Sequence, residues 1–189
     1  MKRFVSLLIL LSLFSSVSLA QEMPVPVDIQ YQLLLKILTF DRNLHSRTGD
    51  TLVIGIVHQK YFRTSLNVKE ELMQIFDASD TPEIDSIPVA CVPLPIQTLT
   101  GFDSLLAQTK IDIIYIAPLR GVDVSTLASI CQSRNIVTFS GVPEYMDYGA
   151  TIALDTQGDN PKILINLNAA KKIGVNFNSQ LLKLSKIIE

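Results

Sequence analysis

Four short runs of mainly β-branched and aliphatic residues punctuate the chain: TLVIGIVH (51–58), IPVACV (87–92), DIIYIA (112–117) and IVTFS (136–140). Between them lie stretches whose apolar residues recur at helical spacing, and this alternation constrains the fold more than any other feature. A short run that is apolar at consecutive positions is a strand buried on both faces. Such strands, joined through helices, lie parallel, and right-handed crossovers place the helices on both sides of one sheet. The helical segments are 27–44, with Ile29, Leu33, Ile37, Phe40 and Leu44 on a stripe and Leu34 and Leu38 beside it; 66–76, with Leu66, Leu72, Ile75 and Phe76 inward; 100–109; and 123–134, started by Asp123 or Ser125. Pro88 stands near the start of its strand, where a missing N–H matters least.

The last third breaks the alternation. Residues 149–155 alternate as a strand, Gln157-Gly158-Asp159-Asn160 is a turn cluster, and 162–167 is a further strand. With no room for a helix between them, the two strands form an antiparallel hairpin. After Asn166 the chain makes a helical turn over 169–173, and Gly174 permits a reversal. Asn178 or Ser179 then caps a final helix whose apolar stripe is Leu181, Leu182, Leu184, Ile187 and Ile188. The expected fold is α/β: a mostly parallel mixed sheet of about six strands with helices on both faces, ending in an antiparallel hairpin and a C-terminal helix that closes the core.

Lys2 and Arg3 precede an uncharged apolar run, and Ser18 and Ala20 are the small residues of a cleavage site before Gln21. That is the layout of a secretory signal peptide over 1–20, which leaves 21–189 as one exported domain. No later segment approaches the ~20 apolar residues of a membrane helix. Without Lys2 and Arg3 the chain has 14 basic residues against 18 acidic ones, a balance that argues against a nucleic-acid partner. Cys91 and Cys131 form a candidate disulfide in an oxidising compartment, and two buried free thiols are the alternative.

No catalytic, cofactor or metal-ligating set emerges. The only histidines, His45 and His58, lack ligand spacing, and His58 reads as a solvated loop residue. TFSGVP is not a nucleophile elbow, no glycine loop cradles phosphate, and Cys131 lies mid-helix on a core face. In open α/β sheets ligands sit beyond the carboxyl ends of parallel strands. There Lys60, Tyr61, Arg63 and Arg120 form a candidate cationic ligand mouth, with ordinary loop chemistry as the other reading. Tyr145, Met146 and Tyr148 are either an exposed partner contact or side chains packed over the hairpin.

The C-terminal stretch KILINLNAAKKIGVNFNSQLLKLSKII carries Asn166, Ala169, Ala170, Gly174, Ser179 and Leu182 in a pattern that resembles the YfiR family of small periplasmic proteins. IVTFSGVPEYMDYGATIAL, IQYQLLLKILTF and IDIIYIAPL are similar to that family's strand-and-hairpin block, first helix and central strand. The chain departs from the family pattern at Gly141, where an acidic residue is common, at Ala150 and Ile111, where glycine and cysteine are usual, and at HQKYFR in place of a Gly-Asp loop. The resemblance implies a non-enzymatic periplasmic regulator that binds, and inhibits, an integral membrane sensor such as a diguanylate cyclase or histidine kinase. A homodimer is compatible with it. The alternative from the α/β order is a one-lobed periplasmic small-molecule binding protein serving a transporter or sensor.

Overall fold

The computed structural model describes residues 22–79 and 82–188, so the expected signal peptide over 1–20 lies outside the described residues. The elements in order are α1 (Val27–Leu38), α2 (Leu44–Arg47), β1 (Leu52–His58), α3 (Arg63–Asp77), β2 (Glu83–Ile84), β3 (Ile87–Pro95), α4 (Phe102–Gln108), β4 (Ile113–Ile116), α5 (Val124–Ser133) and β5 (Val137–Ser140). A 3-10 turn (Pro143–Met146), β6 (Ile152–Gln157), β7 (Asn160–Asn166), α6 (Leu167–Lys172), α7 (Ser179–Leu184) and β8 (Lys186–Ile188) complete the chain. One eight-stranded sheet runs β2-β3-β1-β4-β5-β6-β7-β8. β3, β1, β4, β5 and β6 are mutually parallel, β6 and β7 form the antiparallel hairpin, and β8 runs parallel to β7.

The central strands β1, β4 and β5 are buried on both faces because they contribute alternate side chains to two separate cores. Ile54, Ile56, Ile113, Tyr115 and Phe139 face α1 and α3, whereas Val57, Ile114 and Ile116 face α4 and α5. Gln157 pairs with Asn160 across a two-residue turn in which Gly158 takes a positive φ, the chemistry of a tight hairpin.

The structure corrects several sequence expectations. The sheet has eight strands instead of six, because two short edge strands, β2 and β8, have no periodicity to reveal them. α1 ends at Leu38 instead of running to residue 44: Thr39 Oγ1 bonds back to the Lys36 carbonyl and the N–H of Asp41 to Leu38 O, which turns the chain away. α3 begins a turn earlier than expected, at Arg63. The final helix stops at Leu184, and Ile187 and Ile188 pair with β7 as strand residues, one packing against each core. Leu181 is therefore the buried anchor of α7, while Leu182 is half-buried and Leu184 is exposed.

Candidate functional site

Leaving β1, the chain crosses by α3 to β3 on one side and returns by α4 to β4 on the other, so the carboxyl ends of β1 and β4 bound the switch point of the sheet. The protein's own groups fill this crevice. The Gln59 amide bridges the Arg120 backbone in both directions, Oε1 accepting from the Arg120 N–H at 2.7 Å and Nε2 donating to the Arg120 carbonyl at 3.0 Å. His58 is buried, its Nδ1 donating to the Ile56 carbonyl at 3.1 Å, and burial lowers its pKa. It is a neutral core histidine, which corrects the expectation of a solvated loop residue.

Above this floor, Lys60, Arg63 and Arg120 are exposed, and Tyr61 projects with 90% of its surface in water. The Arg120 guanidinium lies 4.9 Å from the Phe62 ring centroid, which ties the β1 and β4 loops into one surface. The same end carries a hollow of about 250 Å³ lined by Val122, Asp123, Val124, Tyr145 and Tyr148. Of the three residues expected as a contact patch, Tyr145 and Met146 are buried, and the Tyr145 hydroxyl accepts from the Leu119 N–H at 2.8 Å. Only Tyr148 is open to solvent, at 51%. The reason is topological: the link from β5 to the parallel β6 must cross a sheet face, and its bulky residues seal that face where no helix covers it. Asp123 is spent as the cap of α5, and hydrogen bonds from Thr126 hold its carboxyl below the ordinary range.

A larger hollow lies at the opposite end, beyond the amino ends of β4 and β5. It measures about 610 Å³ and is lined by Ser46, Arg47, Ile111, Asp112, Arg134, Asn135 and residues 171–174. Arg47 is fixed there by Asp41 at 3.1 Å and by the Asn135 carbonyl at 3.1 Å, and Arg134 by Asp103 at 2.7 Å. Sequence reasoning missed this site because its residues come from four separate connections. It missed the hub behind it for the same reason: buried Asp41 also accepts from the Asn43 and Asn176 N–H groups, which stitches the loop after α1 to the segment after α6.

The family-motif residues build that segment. Asn166 caps α6 by accepting from the Ala169 N–H at 2.8 Å, and Ala169 and Ala170 are buried. Gly174 reverses the chain at φ +77°, and Val175 N–H bonds the Ala170 carbonyl in the pattern that closes a helix. Ser179 opens α7 behind its cap Asn178, and Leu182 rests half-buried at the core edge. The motif is thus a docking device for the C-terminus. Cys91 and Cys131 are free thiols packed on opposite faces of the sheet, which corrects the candidate disulfide; burial pushes each up to about 12. Among the described residues no group of three or more His, Cys, Asp and Glu could hold a metal ion, and no helix is long and apolar enough to cross a membrane.

A family model described as YfiR/HmsC-like matches residues 28–186. No curated protein matches the chain in sequence. Among solved structures, an ABC domain in complex with L-Trp from Streptococcus pneumonia is similar at a TM-score of 0.60 and 14% identity. A conserved domain protein from Vibrio cholerae O1 biovar El Tor is similar at 0.61 and 14%. The ligand-free, open structure of a substrate binding protein with adhesive properties from Clostridium difficile is similar at 0.58 and 13%. Each likeness covers 87% of this chain, which spans 60% of the other chain, and each is a likeness of fold.

Proposed function

This chain belongs to the YfiR/HmsC-like family, and from that premise we propose that it is a non-enzymatic periplasmic regulatory protein that binds the exported part of an integral membrane sensor. The sensor is a diguanylate cyclase or a histidine kinase, and binding holds its cytoplasmic output low. An exported protein does not meet a cytoplasmic active site, so it acts by binding two states of a transmembrane receptor unequally. The observation that carries this reading is the carboxyl end of the sheet. Its crevice is filled from within by Gln59, yet its surface presents Tyr61 at 90% exposure among Lys60, Arg63 and Arg120, with Tyr148 beyond. Exposed tyrosine beside cations that are in no salt bridge among the described residues suits a protein contact better than a pocket.

The test is capture from detergent-solubilised membranes of the source bacterium with tagged residues 21–189, alongside a Tyr61→Ala, Tyr148→Ala variant. The reading requires one membrane cyclase or kinase retained by the wild type and lost from the variant, with the variant's unfolding curve unchanged. Equal retention by both proteins would move the contact elsewhere. A second reading, the one-lobed small-molecule binder, is favoured by the 610 Å³ hollow and its fixed arginines. It requires a ligand that raises the unfolding temperature of the wild type and not of a Lys171→Ala, Lys172→Ala variant.

A further inference from the structure

The first described residues form a strap that packs on the rest of the molecule through side chains. Residues 22–26 run to the start of α1 without joining the sheet, and Pro24 and Pro26 have no N–H with which to join it. Side chains alternate along the strap. Glu22, Pro24 and Pro26 are exposed, Val25 is buried at 1%, and Met23 packs against both cores, so its thioether spans the end of the sheet that separates them. The receiving surface is polar and fully built. Gln30, with no exposed surface, donates from Nε2 to the Val25 carbonyl at 2.7 Å and lies 3.8 Å from Met23 Sδ. The buried Tyr115 hydroxyl donates to Gln30 Oε1 at 2.5 Å and lies 4.0 Å from the same sulfur. The floor is Gly141, just past the end of β5: a Cβ there would stand 2.1–2.4 Å from the Gln30 amide atoms.

We propose that this crevice, at the carboxyl ends of β4 and β5, is a binding site for an extended peptide of the form Met-x-Val, and that the chain's own residues 22–26 occupy it. The location is the carboxyl end of the sheet, beside the switch point between β1 and β4 at which α/β sheets bind ligands. The lock is one carbonyl accepted by a side-chain amide and one unbranched thioether in an adaptable slot, a recognition that another chain's segment reproduces. A tethered segment acts at an effective concentration on the order of millimolar, so an outside peptide enters only when its own affinity or the strap's weakening offsets that advantage. The site lies apart from Tyr61 and stands or falls independently of the docking face.

The experiment uses residues 21–189, the Met23→Ala form of the same chain, and a fluorescent synthetic peptide of residues 21–27, followed by anisotropy. Weakening the strap should let Met23→Ala bind the peptide about tenfold or more tightly than the wild type does. The same peptide with alanine in place of its methionine should bind neither protein. A wild-type readout guards against a variant that unfolds: at millimolar peptide, the Gln30 side-chain amide signals of the wild type should shift as the strap is displaced, and the alanine peptide should leave them in place. Equal binding by the two proteins, no binding to a folded Met23→Ala, or Gln30 signals that ignore the methionine would each overturn the site.

Discussion

The two ends of the sheet use the same kinds of residue in opposite ways. At the amino end the two arginines are held by partners, while Lys171 and Lys172 stand exposed beside them. Asp41 and the Asn135 carbonyl hold Arg47, Asp103 holds Arg134, and a hollow of about 610 Å³ opens between them. At the carboxyl end the interior is filled by Gln59 and Met23, and the cations stand outside: among the described residues none of Lys60, Arg63 and Arg120 is in a salt bridge. Fixed charges around a hollow are preorganised for a small ligand, because little freedom remains to be lost on binding. Unpaired cations beside an exposed tyrosine fit a macromolecular contact, where steering and a few aromatic anchors matter more than an enclosed volume. The end that α/β sheets ordinarily give to ligands is filled by the protein's own side chains and presents cations outside, and the end they ordinarily leave closed carries a hollow.

The sharpest way to break this contrast is to remove the hub of the amino end. Asp41→Ala takes away the partner of a largely buried Arg47 and the acceptor for two backbone N–H groups. The expected loss is about 3–5 kcal/mol in urea unfolding, because the guanidinium is left uncompensated. A loss under about 1 kcal/mol would mean that the amino-end wall is not held by this pair. At the carboxyl end the corresponding change is Gly141→Ala, which pushes a methyl group into the space of the Gln30 amide. It should cost about 1–3 kcal/mol as an overpacked site, with Gln30 drawn off the Val25 carbonyl. If it were neutral, the crevice would be looser than the contacts imply and the filled end would not be rigidly filled.

How much of this was legible beforehand follows from the range of the signals. Strands β1, β4 and β5 were readable because burial on both faces leaves a local mark, a continuous apolar run, and the hairpin because it leaves turn residues. The caps Asp123 and Asn178 were readable for the same reason, since each acts within three residues of itself. Asp41 was not: its partners Arg47 and Asn176 come from different connections, and a single aspartate after a helix looks like any loop residue. Gln30 carries a sequence signal of its own, a buried amide on the apolar face of α1 between Val27 and Leu34. Tyr145 and Met146 resembled contact residues only because a sequence does not show that the β5–β6 link must cover a sheet face. Gly141, a departure from the family pattern, becomes intelligible with Gln30 in view: the two form one packed unit, and an acidic side chain would not fit beside that amide.

The smallest effect tests whether the amino-end hollow is shielded from water, as its fixed walls imply. Asp112 lines it and accepts from the Val53 N–H at 2.9 Å. Burial raises its pKa, and the Val53 hydrogen bond and the nearby Lys110 and Arg47 only partly offset that rise. The unfolded chain therefore ionises Asp112 at a lower pH than the folded one does. Below the unfolded pKa both states hold the proton and burial carries no penalty; as pH rises through the folded value the penalty grows to its full size and stays. Asp112→Asn keeps an acceptor for Val53 and removes the charge, so its unfolding temperature relative to wild type should climb between pH 3 and neutrality, then level off. A difference that stays flat across that range would mean the carboxylate is already well solvated, and the hollow would then be an open surface like the other end of the sheet.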